Sequence, residues 1–85
     1  METNARSGRL SFEYDRDADI LYVQKRAPYP EQETEEIGEQ VIARLNPDTD
    51  EVEGLEILFF STRLLKSHLF ELPVTADLRL IAAGA

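Results

Sequence analysis

The chain has no cysteine, a single histidine and only nine basic residues among 85. The first absence removes disulfides, thiolate nucleophiles and cysteine-based zinc sites, and gives no sign of an oxidising compartment. The lone histidine, His68, falls beside an apolar stripe, and nothing in the sequence ties it to Ser61, Ser67 or a particular acid. It reads as a partly buried or edge residue rather than a catalytic base. No apolar run approaches the roughly 20 residues needed to span a bilayer, and Met1-Glu2-Thr3-Asn4-Ala5-Arg6 lacks the apolar core of a signal peptide. The cytoplasm is the expected compartment. Against nine basic residues stand 17 acidic ones, for a net charge of −8, and Lys25-Arg26 is the only adjacent basic pair. Neither nucleic acid nor an anionic membrane is an expected partner, since both reward clustered Lys and Arg.

What is present is a pattern of short strands. Leu10, Phe12 and Tyr14 alternate with Arg9, Ser11 and Glu13, the two-residue repeat of a strand with one buried face. Asp15 to Asp19 supply side chains that accept backbone N–H bonds, so the chain reverses before Ile20 continues as a second strand. Val41, Ala43 and Leu45 share a face of a third strand, and Asn46-Pro47-Asp48-Thr49-Asp50 makes another turn. A fourth strand places Leu55, Ile57 and Phe59 on one face and Leu58 and Phe60 on the other. The expected strands are 9–14, 20–25, 40–46 and 52–60. Ser61 or Thr62 then caps a helix over 62–71 whose Leu64, Leu65, Leu69 and Leu72 recur at helical spacing before Pro73 stops it. The fold class is α+β: a four-stranded antiparallel sheet of two hairpins, one packed helix, and a C-terminal arm. Residues 1–8 form a tail, 9–72 a single small domain, and 73–85 the arm. The arm alternates as a strand would through Val74, Ala76, Leu78 and Leu80, yet Thr75 and Gly84 offer a helix cap and stop; we expect a short helix or an irregular arm packed on a partner.

The spacing Asp15-x-Asp17-x-Asp19 invites a calcium reading, because alternate carboxylates can converge on a hard cation. The rest of an EF-hand loop is missing: Ile20 occupies the glycine position and Arg26 the bidentate glutamate position. Asn46 to Asp50 fails in the same way, with Glu51 and Ile57. We read both as turns and expect neither a metal nor a cofactor.

The negative charge is densest in Glu31-Gln32-Glu33-Thr34-Glu35-Glu36, after Pro28 and Pro30. These residues read as a solvated connector, and Glu31, Glu33, Glu35 and Glu36 are the candidate docking residues for a basic protein. Asp19, Tyr22 and Glu56, polar groups set among apolar strand residues, form a candidate polar site for a ligand-binding domain or an enzyme, since buried carboxylates can act as acid or base. No catalytic set is identified. Ile20, Tyr22, Leu58 and Phe60, opposite Leu21, Val23, Ile57 and Phe59, predict a second apolar face and hence a homodimer.

Tyr14-Asp15-x-Asp17-Ala18-Asp19-x-Leu21-Tyr22-Val23, then Thr34-Glu35-Glu36-Ile37, Val41-Ile42 and Gly54-Leu55-Glu56-Ile57-Leu58, resembles the YuzE-like family of small bacterial domains of unknown function, DUF2283. The resemblance covers roughly residues 9 to 66. It implies a four-stranded antiparallel sheet followed by a helix, and it brings no established activity. It also implies frequent genetic pairing with small toxin-like proteins, which would make this acidic domain antitoxin-like, neutralising a basic ribonuclease-like partner. Relatives carry an Asp-Gly turn before the last strand; Asp50-Glu51 stands here, so a longer or different turn is expected.

Overall fold

The computed structural model describes residues 9–67 and 69–82, so His68 and the expected tail at 1–8 lie outside the described residues. Five strands form one antiparallel sheet: β1 (Ser11–Asp15), β2 (Ile20–Gln24), β3 (Glu33–Gly38), β4 (Val41–Leu45) and β5 (Val52–Leu58), in the spatial order β1-β2-β5-β4-β3. A seven-residue helix, α1 (Phe60–Lys66), follows.

The four expected strands are present, and the acidic run expected as a connector supplies a fifth. Glu33, Thr34, Glu35 and Glu36 are all exposed along β3, which lies at the sheet edge. An edge strand at the rim of the core can carry carboxylates on both faces, so it lacks the apolar alternation that betrays an inner strand. Ile37 packs partly on the core and occupies an irregularity in the β3–β4 pairing between Glu36 and Gly38.

The two acidic turns are the same device used twice. Asp15 Oδ1 accepts from the N–H groups of Asp17 and Ala18 at 3.0 and 3.2 Å, and Asn46 Oδ1 accepts from those of Asp48 and Thr49 at 2.8 and 3.1 Å. The fifth residue of each, Asp19 and Asp50, takes a left-handed conformation (φ 60° and 63°) and donates its N–H to the carbonyl of the first at 2.8 Å. Asp tolerates this region better than most residues. Of the alternating groups, the side chains of Asp15 and Asn46 form the turns, and the Asp19 carboxylate is bound to Tyr14 and Ser61.

Register aligns Phe12, Val23, Leu55 and Ala43 in one row across the sheet, and Tyr14, Leu21, Ile57 and Val41 in the next. This is the core face; Val41, Ala43, Leu55 and Ile57 are its buried members. Its cover differs from the expected helix over 62–71. α1 buries no residue, and Leu72 and Val74 of the irregular C-terminal segment pack on the core instead. Neither Ser61 nor Thr62 is the N-cap: Phe59 is, in a left-handed conformation with no side-chain cap. That residue ends β5 at Leu58 and carries Phe60 off the strand, so Phe59 and Phe60 do not occupy opposite sheet faces as expected. Asp19 then ties the start of α1 to the β1–β2 turn, its carbonyl accepting from the Phe60 N–H and its carboxylate from the Ser61 N–H and hydroxyl. Anchored there and ended by the extended backbone of Ser67, the helix does not cross the sheet.

Ile57→Ala should lower stability by about 2 kcal/mol, the low end for loss of a buried isoleucine because so thin a core relaxes readily. A thermal melt unchanged by the substitution would show that Ile57 is not part of the core.

Candidate functional site

Two buried charged residues, Glu53 and Arg44, organise the polar chemistry at one end of the sheet. Glu53 follows Val52 at an irregularity in the β4–β5 pairing, where Leu45 faces Val52 while Arg44 faces Gly54. The extra residue of such a bulge leaves the ladder and its side chain is re-aimed. Glu53 Oε1 accepts from the Tyr29 hydroxyl at 2.6 Å and Gln32 Nε2 at 3.0 Å, and Oε2 from Asn46 Nδ2 at 3.0 Å and Arg26 Nη1 at 3.4 Å. Arg26 also lies 4.4 Å from the centre of the Tyr29 ring. Burial pushes the Glu53 carboxyl up, but the hydrogen bonds from Tyr29, Gln32 and Asn46 and the Arg26 charge outweigh it and bring the pKa down to about 2. The same Glu53 bond, chiefly, raises the pKa of Tyr29. Glu53 thus clasps residues 25–32, the connection that carries the chain from β2 past β5 and β4 to β3.

Arg44 lies on the opposite face from the core row. Its guanidinium donates to Glu56 Oε2 at 2.9 Å and to Gln24 Oε1, with Tyr22 6.0 Å away across its ring face. Gly54 is its direct cross-strand neighbour. A Cβ on Gly54 would stand 2.9 Å from Arg44 Nε and 3.0 Å from Cζ, closer than side chains tolerate. The glycine leaves room for a charged group to lie flat on the sheet.

The candidate polar site divides. Tyr22 and Glu56 are cross-strand partners beside Arg44. Asp19 belongs to a different group: its carboxylate accepts from the Tyr14 hydroxyl at 2.6 Å and the Ser61 hydroxyl at 2.8 Å, and the Tyr14 and Ser61 bonds hold its pKa below the usual carboxylate value. The four dimer-face candidates divide as well: Ile20, Tyr22 and Leu58 are half-buried on the face opposite the core, whereas Phe60 leaves the sheet and meets Tyr14 edge-on, ring centres 6.0 Å apart. Glu31, Glu33, Glu35 and Glu36 are exposed, but they do not form one loop surface. Glu33 and Glu35 face Leu45 and Ala43 on the core side, and Glu36 faces Ile42 on the other.

The sequence does not mark Glu53, Arg44, Arg26, Tyr29 or Gln32 as site residues, and it marks Asn46 only as a turn residue. One signal was available, since Glu53 precedes Leu55 and Ile57 at two-residue spacing and puts an acid in line with core residues. Among the described residues, no group of three or more His, Asp or Glu side chains is placed to hold a metal ion, and no helix is long and apolar enough to cross a membrane.

No curated protein and no solved structure matches the chain. A family model described as a protein of unknown function, DUF2283, matches residues 11–61, from the start of β1 to the first turn of α1. With all five strands inside that match, the chain belongs to the DUF2283 family.

Proposed function

We propose that the chain is a protein-interaction module that takes a basic protein partner along its β3 edge. The observation that carries this reading is the state of β3: an edge strand with open main-chain groups on one side, bearing Glu33, Glu35 and Glu36, all exposed and without a cationic partner among the described residues. An extended basic segment would add as a sixth strand, with alternate side chains meeting Glu33 and Glu35 on one face and Glu36 on the other. Glu31, in the turn just before, extends the field. Exposed Leu64, Leu65, Leu69, Leu78 and Leu80 give a partner apolar area as well. In the antitoxin-like form of this reading, the acidic edge covers the cationic surface of a small ribonuclease-like protein encoded beside it.

Stopped-flow association with the basic product of the neighbouring gene tests this. Association should slow steeply as salt rises, because exposed charges are screened over about 10 Å at 0.1 M. Changing Glu31, Glu33, Glu35 and Glu36 together to Gln should slow association about tenfold or more at low salt and alter dissociation less. A four-Gln protein that associates at the normal rate, or a neighbour that does not bind, would return the edge to plain solvated surface.

A further inference from the structure

The opposite edge of the sheet, β1, is apolar on its core side where β3 carries carboxylates. Four of its five residues are exposed, and its pairing with β2 runs from Ser11 to Asp15 without a bulge. It carries no lysine or proline, two of the devices by which edges are kept from pairing. Its core-side residues are also uncovered: Phe12 and Tyr14 continue the rows that end in Ala43 and Val41, yet they are 63% and 42% exposed, as is Leu10 at 42%. The apolar face therefore runs out at an open strand edge.

We infer that β1 is a homodimer edge, on which a second copy of this chain pairs antiparallel about a two-fold axis between the two Phe12 residues, joining two five-stranded sheets into one of ten. The register follows from sequence and pleat. Residues directly opposite in an antiparallel pair share a face, so a two-fold axis normal to the sheet must run between the two copies of one residue, not between two different residues. Centred on Phe12, the pairing sets Phe12 on Phe12, Leu10 on Tyr14, Ser11 on Glu13, and Arg9 on Asp15. The first two bury apolar groups on the core side, the third offers a hydrogen bond, and the last joins opposite charges. Asp15 Oδ1 is occupied by the turn, which leaves Oδ2 for Arg9. Centred on Glu13, the pairing would oppose two Glu13 carboxylates; centred on Ser11, it would leave Tyr14 without an opposite number among the described residues. This dimer leaves β3 free, so its existence is independent of the basic partner proposed above.

An interface of this length falls below the roughly 1,200 Å² at which stable complexes begin, so a weak dimer is expected and the chain is measured at on the order of 100 µM. Sedimentation should give twice the chain mass. Phe12→Lys, which sets two ammonium groups face to face, should give a monomer with an unchanged far-UV circular dichroism spectrum, because a single copy already leaves Phe12 largely exposed. The absence of native cysteine permits a register test: of the single variants S11C, F12C and E13C, F12C alone should cross-link rapidly on mild oxidation, since only its Cα atoms come within disulfide range. A monomeric parent chain, a dimeric F12K protein, or faster cross-linking at position 11 or 13 would overturn the inference.

Discussion

Changing Glu53 to glutamine is expected to cost about 3 kcal/mol at neutral pH, a large share of the stability of a domain this small. The carboxylate accepts four hydrogen bonds from Tyr29, Gln32, Asn46 and Arg26 while buried. An amide in its place turns one acceptor into a donor that points at donors. Acid should reveal the same energy in the parent protein. The folded-state pKa of about 2 lies below the ordinary value of 4.5, so between these pH values the unfolded chain binds the proton more readily. The Glu53 contribution is therefore complete above about pH 4.5 and is lost progressively as pH falls toward 2, by about 3 kcal/mol in all. Urea melts of parent and E53Q should diverge at neutral pH and converge toward pH 2. Parallel profiles, or equal stability at pH 7, would show that the clasp does not hold the connection.

Inner strands were legible because burial writes a period into them. Val41, Ala43, Leu55 and Ile57 alternate with other residues in sequence and are the buried apolar side chains among the described residues. β3 was not legible because Glu33, Thr34, Glu35 and Glu36 answer only to solvent and Ile37 alone of its side chains reaches the core. A strand whose partner is on one side can carry Glu33, Thr34, Glu35 and Glu36 without loss, and such a run has the composition of a loop. The helix misled for a different reason. Leu64, Leu65, Leu69 and Leu72 do recur at helical spacing, but the path to the sheet is decided by Phe59 and by the grip of Asp19 on Ser61, 42 residues later in the chain. Of these leucines, Leu72 reaches the core, and it does so from outside α1.

The polar groups follow the same division. Asp15 and Asn46 act on N–H groups two and three residues ahead, so their role was readable from the turn sequence alone. Tyr22 and Glu56 proved to be neighbours, which strand register made accessible, whereas Asp19 is held by Tyr14 and Ser61. Arg44 and Glu53 needed tertiary information. The Arg44 partners lie 12 and 20 residues away, and those of Glu53 lie 21 to 27 residues away except Asn46 at 7, across a crossover and a bulge that no local pattern announces.

Gly54 supplies the sharpest test of that tertiary arrangement, because ordinary propensity and this structure predict opposite signs. In the middle of a strand, Gly→Ala normally stabilises by about 0.5 to 1 kcal/mol through reduced backbone freedom. Here the new Cβ would press on Arg44 Nε and Cζ, at 2.9 and 3.0 Å. The guanidinium has nowhere to retreat without releasing Glu56 and Gln24, since its side chain is only 5% exposed and lies between them. Displacing it leaves Glu56 without its cation and buried Arg44 nitrogen atoms without acceptors, so G54A should lose about 3 kcal/mol. The cause is separable from a general intolerance of alanine at this position. In an R44A background the obstruction is gone, and G54A should become neutral or slightly stabilising, a coupling of about 3 kcal/mol or slightly more between two residues that face each other across β4 and β5. Equal losses from G54A in both backgrounds, measured by urea unfolding, would mean that the glycine serves the backbone and not the arginine.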